Sequence, residues 1–189
     1  DSALDLSFTP DTHGLATIVI RATDSGGLHV DETFVVRVHR THWIVNADGS
    51  GHEPTIQAVV NITLDGDTVT LTDGTYTGPG SRSISLDNKD IVLTSENGPE
   101  VTIIDLEGAD RAFTMNNTGP TAELSGITIM NGSQTQGSCI KMSVASPLLS
   151  NLILTGNVAG SDGGAIYMDA GSSPTISGCR IFGNSATDG

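Results

Sequence analysis

Residues 139–184 read CIKMSVASPLLSNLILTGNVAGSDGGAIYMDAGSSPTISGCRIFGN, a segment that nearly repeats itself. Pro147 and Pro174 stand 27 residues apart, and Pro120 lies a further 27 upstream. Around them Ile140 and Met142 answer Ile166 and Met168, with Phe113 and Met115 one unit earlier. Leu124 answers Leu149 and Ile176, and the triplets at 127–129, 152–154 and 179–181 coincide. Asn131, Asn157 and Asn184 close the set. A fixed period this short describes one small unit stacked on copies of itself.

Each unit holds three short alternating runs, of the kind AIYM, PTIS and CRI, parted by Gly, Ser, Asn and Asp. Three strands and three turns make one coil of a parallel β-helix. Alternation then separates inside from outside. Lys141 cannot enter a narrow core, so its phase mates Thr114 and Tyr167 are expected on the surface, with Ile140, Met142, Ile166 and Met168 inside. A second outward stripe is expected from Thr128, Ile153 and Arg180. Asparagines stacked at the strand spacing of roughly 4.8 Å can hydrogen-bond from coil to coil, so Asn131, Asn157 and Asn184 are expected to form an internal ladder.

Upstream the character changes twice. In residues 1–41, Leu4 to Thr9, Ala16 to Arg21 and Thr33 to Val38 read as strands, the last two joined by a Gly-rich hairpin. Some 40 residues fall short of the roughly 100 that a sandwich needs, so the C-terminal strands of a truncated β-sandwich are expected here. The stretch LSFTPDTHGLATIVIRATDSGGLHVDETFVVRV resembles the cadherin-like and immunoglobulin-like tandem modules of large bacterial surface proteins. Some such modules bind calcium, and Asp24 lies in a similar ATDSGG stretch; VHRTHW replaces the acidic linker that would complete the site, so Asp24 is expected to serve the turn.

From His42 onward, HWIVNADGSGHEPTIQAVVNITLDGDTVTLTDGTYTG and IVLTSENGPEVTIID resemble the opening coils of right-handed parallel β-helix proteins of the pectin lyase-like superfamily. The later GGAIYM and SPTISGCRIFGNSA are similar to their repeats. Within PTIQAVVNI, Ile56, Val59 and Val60 fall at i, i+3 and i+4, which predicts a short amphipathic helix able to cap the N-terminal end of the solenoid. The expected fold is therefore all-β: a partial sandwich over 1–41, then the cap and first coils of a right-handed parallel β-helix over 42–189. The start at Asp1 and the stop after NSATDG, where the preceding unit ran on into GGAIYM, lead us to expect a piece of a longer chain.

The resemblance implies enzymes among the relatives, lyases and hydrolases that act on acidic polysaccharide. Such chemistry needs paired carboxylates, or calcium beside a basic residue, converging on one exterior groove. Neither outward stripe holds two carboxylates, and the likeness to pectin methylesterases at GHEPTIQAVV and DGTYTG stops short of their catalytic motifs. No catalytic residue is carried over. Lys141, Tyr167 and Arg180 remain as a polar and aromatic surface able to contact sugar. No metal or cofactor is assigned: Asp162 and Asp188 suit ordinary Asp-Gly turns, and His39 and His42 point to opposite sides of an extended segment. Cys139 and Cys179 fall on different sides of the coil and are expected as free thiols, Cys179 buried.

A formal net charge of −14 with 8 Lys+Arg disfavours nucleic acid, and no apolar run is long enough for membrane insertion. The expected function is a non-catalytic, adhesive or carbohydrate-binding segment of a secreted or cell-surface bacterial protein, monomeric within its longer chain, with polysaccharide or surface glycan as partner. The alternatives are a polysaccharide lyase or hydrolase whose active site lies beyond residue 189, and a structural spacer.

Overall fold

The computed structural model describes Ser7 and residues 13–188. The chain divides into two compact units, 1–41 and 42–189. In the first, β1 (Gly14–Thr23) and β2 (His29–Val38) form an antiparallel hairpin in which Ile18 faces Phe34 and Ala16 faces Val36. Asp24 closes it, its Oδ1 accepting from the N–H groups of Gly26 and Leu28 at 2.8 and 2.9 Å, the side-chain turn expected of Asp here. Leu4 to Thr9, the third expected strand, lies outside the described residues apart from Ser7.

The second unit is a parallel β-solenoid of about six turns. Sheet I stacks β3 (His42–Val45) with Thr68–Leu71, Val92–Ser95, Glu123–Ser125, Leu148–Ser150 and Thr175–Ser177. Sheet II stacks Gly74–Tyr76, Thr102–Asp105, Thr128–Met130, Ile153–Thr155 and Arg180–Phe182. Sheet III stacks Ile84–Ser85, Phe113–Asn116, Ile140–Ser143 and Ile166–Met168. A further ladder of two-residue strands, Ser133–Gln134, Val158–Ala159 and Ser185–Ala186, adds a fourth side to the later coils.

The inward columns follow the alternation. Leu93, Leu124 and Leu149 stack in sheet I, Ile104, Ile129 and Leu154 in sheet II, and Ile84, Phe113 and Ile140 in sheet III, all fully buried. The helix α1 (Ile56–Ile62) is capped by Thr55, whose hydroxyl accepts from the Ala58 N–H at 3.2 Å, and it buries Ile56, Val59 and Val60. It stands before the first strand of sheet III, where the Gln57 side-chain carbonyl accepts from the Ser85 N–H at 2.8 Å. Along β3 the Ile44 N–H donates to His52 Nδ1 and its carbonyl accepts from the His52 N–H, at 2.9 and 2.8 Å. Helix and loop thus pair backbone groups that an open first coil would leave bare.

Two features of the 27-residue repeat are corrected. Pro147 and Pro174 are in register, since Leu148 pairs with Thr175, but the Leu148 N–H donates to the Ala122 carbonyl, so Ala122 and not Pro120 stands in the proline position. Pro120 sits on an exposed turn two residues earlier. Thr128 pairs with Ile153, 25 residues on, and the turn at 118–121 takes up the difference. The asparagine series shifts likewise. Asn157 and Asn184 are in register, but the residue level with Asn157 is Gly132, because Ser133 pairs with Val158. Asn131 has φ of 59° and shares its left-handed place with Gly156 and Gly183, at 67° and 65°. The order Asn-Gly at 131–132 is the reverse of Gly-Asn at 156–157 and 183–184. Asparagine and glycine are the residues that tolerate this conformation, which is why the reversal survives.

At the end of sheet III another left-handed column contains Asn88, Asn117 and Val144, with φ of 56°, 52° and 50°. The Asn117 amide donates to the Asn88 carbonyl oxygen at 3.3 Å, whereas Val144 is 56% exposed and β-branched. A left-handed conformation costs an L-residue about 1–2 kcal/mol, and branching at Cβ adds to the crowding. Val144→Asn is therefore expected to raise the thermal midpoint by about 2–4 °C, as read by circular dichroism.

Candidate functional site

The outer face of sheet III carries the best-organised polar surface. Ser85, Thr114, Lys141 and Tyr167 align in one column, one residue from each coil, and Asn116 and Ser143 align beside them. Tyr167 and Lys141 are each half-exposed, and the ammonium lies 5.4 Å from the centre of the phenol ring. That distance is within reach of a cation–π contact. The turn at 134–137 brings a second layer. Gln136 Oε1 accepts from Lys141 Nζ at 3.4 Å, and its Nε2 donates to Asp162 Oδ2 at 3.2 Å. The Ser161 hydroxyl also donates to Asp162, at 2.7 Å. These two donors, Ser161 foremost, hold the Asp162 carboxyl below the usual carboxylate range, so it stays ionised.

Arg111 supports this layer from below. Its Nη1 donates to the Gln136 carbonyl at 2.6 Å, while burial pulls its pKa down and Asp110 partly opposes that. Asp87 Oδ1 accepts from both the backbone and the side-chain amide of Asn116 at 3.0 Å. The face is thus a strip of fixed donors and acceptors around one aromatic ring. It offers hydrogen-bond donors and acceptors and one ring face to solvent.

Arg180 does not belong to this face. It stands on sheet II, where its Nη1 lies 3.0 Å from Glu100 Oε1 and its guanidinium 5.7 Å from the Phe182 ring. The stripe expected to be exposed, Thr128, Ile153 and Arg180, is in register on the outside of sheet II, yet only Arg180 is exposed. Segment 96–100 crosses it: the Thr128 hydroxyl donates to the Pro99 carbonyl at 2.6 Å, and Thr128 and Ile153 are 8% and 7% exposed. Apolar Ile153 on an outward position was the available hint that something covers it.

A groove of about 500 Å³, missed at the sequence level, runs along the outer corner beyond sheet II, lined by Asp105, Glu107, Asn131, Ser133 and Val158. Both of its carboxylates are engaged by this chain. Asp105 Oδ1 accepts from the Asn131 amide and the Glu107 N–H, each at 2.9 Å. Glu107 Oε2 meets Arg82 at 3.3 Å and the Gly78 N–H at 3.2 Å. Among the described residues no three His, Cys, Asp or Glu side chains converge as metal ligands would.

Cys139 and Cys179 are both free. Cys139 is fully buried beside the Ile129 carbonyl, and burial pushes its thiol well above the ordinary range. Cys179 is half-buried rather than buried, packed against the core from the last described coil. Of the asparagines, Asn157 is fully buried and bonds to Asn184, whereas Asn131 turns outward to Asp105. Comparison with protein families, with curated proteins and with solved structures finds no match to this chain.

Proposed function

We propose that this chain is a non-catalytic, carbohydrate-binding segment of a large secreted or cell-surface bacterial protein, in which the tail of a cadherin-like or immunoglobulin-like module precedes a β-helix of the pectin lyase-like kind. The observation that carries the reading is the Tyr167 ring beside Lys141 on the outer face of sheet III, flanked by the fixed amide of Gln136 and the carboxylate of Asp162. A half-exposed ring with hydrogen-bonding groups beside it suits a sugar, whose apolar face lies against the ring while its hydroxyls reach the polar neighbours. The solenoid holds this strip rigid, so little ordering is needed on binding.

The acidic surface and the repeat architecture fit an extended adhesive structure outside the cell. Retention in polysaccharide-containing native gels, run beside an assay for unsaturated products from pectate, pectin and alginate, tests the reading. We expect retention without product, and loss of retention in the Lys141→Ala/Tyr167→Ala double variant. Cleavage by this chain would transfer the assignment to a lyase.

A further inference from the structure

We infer that the glycan held on the outer face of sheet III is an uncharged polysaccharide, lying along the solenoid axis, and not a uronate polymer; this rests on reading that face as the glycan surface. The charges on the strip point this way. Lys141 is the cation beside the ring, and Asp162 and Asp87 lie on the same side of the coils, Asp162 held ionised by Ser161 and Gln136. Arg111 adds a second positive charge, but it is turned into the Gln136 and Gly137 carbonyls at 2.6 and 3.4 Å. Lys141 itself is shared between the Tyr167 ring and Gln136 Oε1. Among the described residues of this face no cation is left to neutralise a carboxylate on every sugar of a uronate chain, and the protein as a whole carries a formal −14.

Hydrogen-bond chemistry agrees. The carboxylate oxygens of Asp87 and Asp162 serve as acceptors in the structure, and a uronate carboxylate also only accepts, so the two cannot pair; sugar hydroxyls both donate and accept, and satisfy either partner. The direction follows from the register. Ser85, Thr114, Lys141 and Tyr167 come one per coil, which places a polar or aromatic group about every 4.8 Å along the axis. That step is comparable to the length of a sugar ring, so a linear chain lying along the axis meets one rung per residue, whereas a chain running across the strands would meet the rung of one coil only.

The test uses the full chain in native affinity gels containing hydroxyethylcellulose, β-1,3-glucan or galactomannan, against gels containing polygalacturonate or alginate. Runs at about 0.05 M and about 0.5 M NaCl bracket the screening of surface charge. We expect retardation in at least one neutral gel, insensitive to salt, weakened about tenfold by Tyr167→Ala and kept by Tyr167→Phe. Tighter retardation by the uronate gels, or by any gel only at low salt, overturns the assignment of an uncharged ligand while leaving the face as the binding surface. Retardation unchanged by Tyr167→Ala places binding elsewhere on the molecule and overturns the inference. No retardation in any gel removes the glycan reading itself.

Discussion

Leu152→Asp is expected to unfold the coils on either side of it, at a cost of about 4 kcal/mol or more. Leu152 is 1% exposed and occupies a corner column between Ile127 and Cys179, inside the ring formed by the three sheets. A carboxylate there would have no cation and no hydrogen-bond donor to compensate for lost hydration, so the coil must open to wet it. The control is Thr155→Asp, on the strand that follows Leu152 and on the outward column that already contains Asp105. The same charge three residues away should change stability by no more than about 0.5 kcal/mol. Because the strand ladders join each coil only to the next, the damage should be largely local. Hydrogen exchange should show lost protection over 123–188 while 68–95 keeps most of its own. Equal destabilisation by the two variants would mean that the inside and outside of sheet II have been misassigned.

The difference between those two positions also shows what could be read without the structure. Inward columns such as Leu124–Leu149 and Ile140–Ile166 were legible because the core between the three sheets recurs from coil to coil, and a residue that must fit it is chosen again in each coil. The turns face solvent and have no such constraint. Two residues inserted near Pro120 leave the strand pairing intact, and the exchanged order of Asn131 and Gly132 is invisible to a pattern that reads any Asn as a ladder rung. The strap at 96–100 was equally hidden, because Glu100 meets Arg180 across 80 residues and three coils. Sequence spacing carries the period of stacking and says little about a segment that runs along the stack. On the candidate site, Lys141 and Tyr167 followed from strand phase alone, but Gln136 and Asp162 lie on turns whose approach to the strip no alternation encodes.

Asn157→Ala should cost about 3 kcal/mol, far more than an ordinary polar substitution, because the side chain pairs backbone groups in two coils and the Asn184 side chain in a third. Its Oδ1 accepts from the Gly132 N–H at 2.7 Å. Its Nδ2 donates to the Thr155 carbonyl at 2.9 Å and to Asn184 Oδ1 at 2.8 Å, with the Ile129 carbonyl at 3.3 Å. Alanine would strand the Gly132 N–H in a place without solvent, where Asn157 is fully buried and an unmade bond costs its whole desolvation penalty. The neighbouring coil cannot repair the loss by lending an asparagine at 132. A Cβ there would run into the Ser138 carbonyl and come within 2.8 Å of Leu106 and 2.9 Å of Asn157 itself, so the bottom rung must be glycine. Asn131 supplies the contrast. It is half-exposed, adopts φ of 59°, and sits where the next two coils have glycine, so Asn131→Gly should stay within about 0.5 kcal/mol of the parent. Urea titrations of the two variants, compared at constant slope, measure the difference. If Asn131→Gly proved as damaging as Asn157→Ala, the ladder would run through all three asparagines, and the register placing Gly132 level with Asn157 would have to be abandoned.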